Sequence, residues 1–209
     1  ARAQGNYATI DDIAADVKEK YGENTIGLIF PILSRNRFSV CLKGIARGLQ
    51  LKRFMNCDEP GLGKTLQSIA TINLGNAFPC LVICPSALKV NWEREWHKFT
   101  DKKAMVLTDK VRDTWTFFYQ TGMYQVFIVN YESLKKYFVQ RIKKESGWTL
   151  RDVEFRNSIQ LFKSVIIDES HRCKSSSTQQ AFCFLWVHLQ VALSREQLSR
   201  NCSLYFGKR

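Results

Sequence analysis

The chain lacks the features that would point to a membrane protein, a secreted protein or a repeat protein. No apolar run approaches the length of a membrane span, and the N-terminus has no signal-peptide pattern. No internal repeat or low-complexity tract is visible. The 209 residues are 45% hydrophobic with 14 Phe, which is typical of one globular domain with a sizeable core. The first residue is Ala, so we expect a fragment or a processed protein.

The cysteines give no sign of a metal site or of a disulfide framework. There are seven, an odd number, and no two of them form a Cys-x-x-Cys pair. Cys80 and Cys84 lie in or beside an apolar run and are predicted to be small core residues. This usage favours a reducing compartment.

Acidic residues are few. The chain has 19 Asp and Glu against 31 Lys and Arg, which gives a formal net charge of +12. Such an excess favours a polyanionic partner, most simply nucleic acid. The alternative is a basic surface that only keeps the protein soluble.

Apolar segments alternate with helical patterns along the chain. Because the predicted strands are apolar throughout, the pattern indicates an α/β fold, with a mostly parallel sheet covered by helices on both faces. The strands are predicted at 25–32, 53–57, 80–84, 104–107, 124–129 and 164–167. The helices are predicted at 9–21, 42–51, 65–74, 86–99, around Trp115 and Phe118, and at 132–144, with a linker and a short helix in 145–163.

A glycine-rich segment between a predicted strand and a predicted helix is the strongest signal. It reads Asp58-Glu59-Pro60-Gly61-Leu62-Gly63-Lys64-Thr65, and we call it the phosphate loop. Its backbone N–H groups and the positive helix end would bind phosphate oxygens. Lys64 is placed to reach the β- and γ-phosphates, and the Thr65 hydroxyl to hold Mg²⁺. The alternative is a glycine-rich turn that merely precedes Lys-Thr.

Two acids follow the last predicted strand. Asp168 would lie at the carboxyl edge of the sheet, where it can hold Mg²⁺ through water. Glu169 is then placed to polarise the attacking water as a general base. The alternative is an exposed acidic strand end. His171 is predicted either to couple the nucleotide site to a nucleic-acid site or to be a salt-bridged surface residue, and His97 and His188 to be structural.

The motifs and their order along the chain resemble those of the superfamily 2 helicase-like ATPases. Among these, the chain resembles the Swi/Snf-type DNA translocases of the annealing-helicase-like branch. Residues 58–67 are similar to the Swi/Snf form of the phosphate loop, with Asp58 in the usual glycine position. Cys84-Pro85-Ser86 followed by Trp92 resembles motif Ia. Residues 130–134 resemble the next strand-end motif, and residues 168–174 resemble motif II. The resemblance covers about residues 40–182.

The resemblance implies a RecA-like first lobe that uses ATP and Mg²⁺ to move along double-stranded DNA. It also implies DNA contacts at four positions and along the basic helix predicted at 132–144. The four positions are Pro85, Ser86, Lys89 and Asn130. We expect an N-terminal extension at 1–40, the ATP-binding lobe at 41–180 and an atypical tail at 181–209.

The chain departs from the family pattern in three ways. Cys41 stands where the family has a glutamine that contacts adenine. The second RecA-like lobe, which carries an arginine finger, is missing, so this chain alone should bind ATP better than it hydrolyses it. The Ser/Thr-Gly-Thr motif expected after motif II is also missing.

We hypothesise that the tail is out of frame. Read one base earlier, codons available to residues 193–200 can spell Thr-Val-Thr-Gly-Thr-Ala-Val-Lys, which is close to the missing motif. The alternative is a divergent but genuine C-terminal helix. The nucleotide sequence decides between the two, since the hypothesis is refuted if no single shift restores Thr-Gly-Thr.

Two other functions stay open at this point. One is a truncated module that binds ATP or DNA without turnover. The other is a different P-loop NTPase, such as a kinase or a transport ATPase, against which the motif Ia signature argues. The compact spacing of the motifs favours a cytoplasmic bacterial or phage protein, while a eukaryotic source would imply the nucleus.

Overall fold

The computed structural model describes residues 15, 19, 35–51, 55–56, 61–143, 152–169 and 204–206. Its helices are α1 (Arg35–Leu51), α2 (Lys64–Leu74), α3 (Lys89–Phe99), α4 (Trp115–Gln120) and α5 (Leu134–Phe138). Its strands are β1 (Met55–Asn56), β2 (Cys80–Cys84), β3 (Ala104–Val106), β4 (Val126–Asn130), β5 (Val139–Ile142), β6 (Val153–Phe155), β7 (Ser164–Ile167) and β8 (Leu204–Phe206). Short 3₁₀ helices lie at Ser86–Leu88, Asp109–Val111, Tyr131–Ser133 and Asn157–Leu161.

Six strands form one parallel sheet in the order β1-β8-β7-β2-β4-β3. The strand before the phosphate loop and the strand before Asp168 are therefore separated by one strand, β8. Since neighbouring strands lie about 4.8 Å apart, β1 and β7 are about 10 Å apart. All six strands point the same way, so every loop that leaves a carboxyl end opens on one edge.

Alternate residues of each central strand pack on opposite faces of the sheet, as the strand period of two requires. One face packs Leu81, Phe127 and Val165 against an aromatic cluster that contains Trp115 and Phe162, whose rings stack at 5.2 Å. The opposite face packs against α2 and α3, and its members include Val82, Ile128, Ile166, Trp92 and Trp96. The prediction of an α/β sheet covered on both faces is confirmed.

Most predicted elements match the described residues closely. The predicted strands at 80–84 and 164–167 have the observed bounds, and the buried cysteines Cys80 and Cys84 are core residues as predicted. The helix that contains residues 42–51 begins earlier, at Arg35. The α-helix predicted at 86–99 begins later than predicted, at Lys89, because Ser86–Leu88 form a 3₁₀ helix.

The predicted basic helix at 132–144 is also wrong. The helical part ends at Phe138, and the chain continues as strand β5, which pairs antiparallel with β6. Val139 and Val153 form a small apolar cluster across this hairpin. Branched side chains fit a half-buried strand well, and the partner strand lay in the segment predicted to be a linker. The short helix predicted in that linker is the 3₁₀ helix at 157–161.

Several predictions fall outside the described residues. The strand at 25–32 lies there, as does the helix at 9–21 except for residues 15 and 19, which are helical. Within the atypical tail the structure describes only β8, which inserts between β1 and β7. Among the described residues, none of the helices is both long and apolar enough to span a membrane.

Candidate nucleotide and DNA site

The candidate site lies along the carboxyl edge of the sheet. Strands β1, β2, β4 and β7 end there and lead into the phosphate loop, Pro85, Tyr131 and Asp168 respectively. The register pairs Cys84 with Asn130 on adjacent strands, so the segments after β2 and β4 leave the sheet at one level. The fold thus brings together most of the residues predicted from separate motifs.

The backbone conformation of the phosphate loop requires glycine at two positions. Gly61 has φ 86° and Gly63 has φ 73°, in the left-handed region where a side chain is strained. Gly63 is also the N-cap of α2, and as a glycine it brings no side chain that could cap the helix. The first N–H groups of α2 point along the helix axis toward the loop. This geometry suits a phosphate group.

A neutral hydrogen-bond network holds the loop from behind. The Leu62 carbonyl accepts from the Gln67 amide at 3.1 Å and from the Cys41 thiol at 3.3 Å. The Gln67 amide oxygen in turn accepts from Asn56 Nδ2 at 2.7 Å. Gln67 has no exposed surface, and a Cβ added at Gly44 of α1 would lie 1.9 Å from its Oε1. Residues of three elements, α1, β1 and α2, thus form the network that holds this carbonyl of the loop.

Cys41 belongs to this support rather than to an adenine pocket. Its side chain is fully buried, and a Cβ added at Gly63 would lie 2.9 Å from its sulfur. A side chain without exposed surface cannot contact an adenine ring. The position that resembles the family's adenine-contacting glutamine is therefore occupied by a residue that packs against the loop.

Asp168 is held at three atoms by three different elements. Its backbone N–H donates to the Ile83 carbonyl at 2.8 Å, and its own carbonyl accepts from the Tyr131 hydroxyl. Its carboxylate oxygen Oδ2 accepts from the indole N–H of Trp92 at 3.0 Å. The side chain of Asp168 is partly exposed, so it can still face a ligand.

Glu169 has a strained backbone. Its φ is 56°, in the left-handed region that non-glycine residues seldom adopt. Strain of this kind costs about 1–3 kcal/mol and tends to occur at functional sites. Glu169 lies two residues after the end of β7, at the edge of the sheet where the phosphate loop lies.

The thiol of Cys84 lies near the same carboxylate. Burial raises its pKa to about 12, the charge of Asp168 adds to the rise, and Lys89 partly opposes it. The thiol is therefore neutral at physiological pH. It adds no charge beside Asp168 and behaves as an apolar wall of the site.

The residues predicted to contact DNA lie together beside Asp168. Ser86 is exposed, and Pro85 and Lys89 are half-buried. The Lys89 ammonium donates to Asn130 Oδ1 at 3.3 Å, and Asn130 Nδ2 donates to Glu132 at 2.7 Å. Asn130 is only 8% exposed, so its side chain mainly ties the segments after β2 and β4 together.

The basic residues of 132–144 do not form one continuous helical stripe. Lys136 makes an ion pair with Asp109, and its hydrogen bond lowers the pKa of that carboxyl below the ordinary value. Lys143 makes an ion pair with Glu154 across the β5–β6 hairpin at 3.1 Å. The charges are divided between α5 and a strand, which is a second correction to the predicted basic helix.

A separate cavity of about 510 Å³ lies away from these residues. It is lined by Arg112, Asp113, Trp115, Thr116, Tyr137, Gln140, Arg156, Asn157 and Ser158. None of them belongs to the phosphate loop or to Asp168-Glu169, so this cavity is not the predicted nucleotide site.

Some predicted site residues lie outside the described part of the chain, namely Asp58, Glu59, Pro60 and His171. His97, predicted to be structural, accepts a hydrogen bond from the backbone N–H of Ala104 at 3.2 Å, which confirms that prediction. Sequence reasoning missed the supporting side chains Asn56, Gln67 and Tyr131. Their only signal was a polar or hydroxyl group within an otherwise apolar element.

Mg²⁺ fits the residues that are present. This ion needs few protein oxygens because it retains water and binds phosphates. Thr65, in the first turn of α2, and the restrained carboxylate of Asp168 supply such oxygens from the two loops that flank β8.

The architecture is that of a RecA-like lobe, and comparison with known proteins gives its family. The SNF2-related domain family matches residues 50–193, about two thirds of the chain, so the chain belongs to this family. The match extends into the tail as far as residue 193.

Individual relatives agree with this family. The chain is 28% identical over 171 residues to the Drosophila persimilis "DNA repair and recombination protein RAD54-like", which covers 72% of this chain and 20% of that protein. It is 47% identical over 58 residues to human "Chromodomain-helicase-DNA-binding protein 8", which covers 24% of this chain and 2% of that protein. The chain therefore spans about a fifth or less of the length of these relatives.

A solved structure has the same fold. The "Sulfolobus solfataricus SWI2/SNF2 ATPase core in complex with dsDNA" matches with a TM-score of 0.51 and 21% identity. The match covers 81% of this chain and 31% of that one. The curated relatives named above are animal proteins and give no support to the expectation of a bacterial or phage protein.

Proposed function

We propose that the chain is the ATP-binding first lobe of a DNA-dependent ATPase of the Swi/Snf type. The observation that carries this proposal is the shared edge of the sheet. There the left-handed glycines lead into the N-terminus of α2, one strand away from Asp168-Glu169. Family membership supports the same activity.

Each residue has a role in this proposal. Gly61–Gly63 and the N-terminus of α2 bind the phosphates, and Lys64 neutralises the β- and γ-phosphates. Thr65 and Asp168 hold Mg²⁺, which when bound neutralises charge on the phosphate oxygens. Glu169 orients and deprotonates the attacking water.

Hydrolysis by this chain alone is expected to be weak. The transition state carries charge that an arginine finger normally stabilises by several orders of magnitude in rate. The resemblance assigns that arginine to a second lobe. The truncated, non-catalytic module therefore remains the alternative, and DNA-stimulated hydrolysis by the isolated chain would exclude it.

Double-stranded DNA is the proposed partner. The net charge of +12 supports sequence-independent binding to phosphates, and Ser86 and Lys89 lie on the exposed side of the carboxyl edge. His171 is proposed to couple this surface to the nucleotide. In a eukaryotic cell such a partner would place the protein in the nucleus.

The test is Mg²⁺-ATP binding by calorimetry, with and without duplex DNA. Lys64→Ala should weaken ATP binding by about tenfold to a hundredfold, because a charge-assisted contact contributes about 1.5–3 kcal/mol. Lys163→Ala is the matched control. Lys163 is an exposed lysine just before β7, at the opposite edge of the sheet, and its removal changes net charge by the same amount. Equal ATP affinity of wild type and Lys64→Ala would refute the proposed site.

A further inference from the structure

Helix α3 carries two tryptophans that differ in one contact. Trp92 and Trp96 lie four residues apart on the same helix face and belong to the same apolar cluster. They are 3% and 0% exposed. The indole N–H of Trp92 donates to Asp168, whereas among the described residues Trp96 Nε1 is buried without a partner.

The Trp92 contact reaches the carboxylate itself. The Tyr131 hydroxyl and the Ile83 carbonyl fix only the backbone of Asp168, which leaves its side-chain torsions free to turn. The bond from Trp92 to Oδ2 removes that freedom. An indole N–H can only donate, so it restrains the ionised carboxylate without competing for the metal. The ring is buried between α2, β2 and β4, so the donor is itself immobile.

We propose that Trp92 is a positioning residue for the metal site: its bond to Oδ2 restrains the Asp168 carboxylate that would hold Mg²⁺ when Mg²⁺-ATP binds. This inference rests on the proposed function. Partners that orient a metal-binding side chain typically change metal affinity by about 10–100-fold when they are removed. A residue that only filled the core would change stability and leave the metal dependence alone.

The experiment compares Trp92→Phe with Trp96→Phe in the 209-residue chain. Both changes remove an indole from the same core, but only the first removes a hydrogen bond to Asp168. ATP binding is measured by calorimetry over a series of Mg²⁺ concentrations and in EDTA. Trp92→Phe should raise the Mg²⁺ concentration at the midpoint by about tenfold, with ATP binding in EDTA unchanged. Trp96→Phe should keep the wild-type midpoint.

The outcomes are distinguishable. If wild type fails to bind Mg²⁺-ATP, the proposed function falls and this inference with it. If wild type binds and Trp92→Phe has the same midpoint, only the inference falls. The same is true if Trp96→Phe shifts the midpoint equally, since the effect would then be one of general packing.

A second measurement decides the case in which Trp92→Phe does not fold. In a ¹⁵N-labelled chain the five tryptophans give five indole N–H resonances. Asp168→Asn should move the Trp92 resonance and leave that of Trp96 in place. Single Phe substitutions of Trp96, Trp115, Trp148 and Trp186 assign four of the resonances by their loss, and the fifth is that of Trp92. If the chemical shift of the Trp92 resonance is unchanged in Asp168→Asn, the contact does not exist and the inference is overturned.

Discussion

The two loops of the candidate site are held by different chemistry. The phosphate loop rests on neutral amide, thiol and carbonyl groups from α1, β1 and α2. Asp168 is instead held by aromatic donors, Trp92 and Tyr131, which lie 76 and 37 residues earlier in the chain. The phosphate loop is thus held by buried neutral groups, whereas Asp168 is held at individual atoms by partners distant in sequence. Substitutions should therefore affect the two loops differently.

Gly44→Ala should have the largest effect on the phosphate-loop side. The new Cβ would lie 1.9 Å from Gln67 Oε1, and that buried amide cannot move without breaking its bonds to Asn56 and Leu62. We expect a loss of about 1–3 kcal/mol in the free energy of unfolding, despite the better helix propensity of Ala. Urea denaturation measures it.

The double variant with Gln67→Ala provides the control for this prediction. Without the amide, Gly44→Ala should cost nothing or stabilise α1 slightly. If Gly44→Ala costs the same in both backgrounds, the contact with Gln67 is not its cause.

Gly63→Ala should have the next largest effect. It forces a side chain into φ 73° and places Cβ 2.9 Å from the Cys41 sulfur. We expect a loss of about 1–2 kcal/mol in stability and weaker ATP binding, measured by thermal unfolding and calorimetry. Gly61→Ala provides the comparison, because its φ is 86° but its Cβ would meet no atom of the described residues within 4 Å. If the two substitutions lower stability equally, backbone strain alone explains the loss and the contact with Cys41 contributes nothing.

The effect that is smallest at neutral pH concerns Cys84 on the acid side, and it appears only at alkaline pH. Burial raises the pKa of its thiol from the ordinary value of 9.0 to about 12, so the unfolded chain loses the proton first. The stabilisation is fully present below pH 9 and is lost as pH rises toward 12. Each pH unit between these limits should cost about 1 kcal/mol. Cys84→Ala should flatten the alkaline slope of stability relative to wild type, and an unchanged slope would contradict the assigned shift.

The local parts of the site could be predicted from the sequence. One such part is the group of glycines with Lys64 and Thr65 after one strand, and another is the pair of acids after a second strand. Both depend on backbone geometry within a few residues. Strand and helix positions from 80 to 130 follow in the same way from short apolar runs. The β5–β6 pairing could not be predicted, because Val139 pairs with Phe155, a residue 16 positions later in the chain.

The sequence by itself determined the α/β class and the sheet covered on both faces, and it supplied the residues proposed to meet phosphate and metal. The tertiary structure alone decided how these residues are held. It placed β8 between β1 and β7, turned Cys41 into a support for the loop, and gave Trp92 but not Trp96 a bond to Asp168. The physical reason is the distance along the sequence over which each interaction acts. Backbone conformation follows from neighbouring residues, whereas a hydrogen bond between residues 76 positions apart exists only after the sheet and helices have packed.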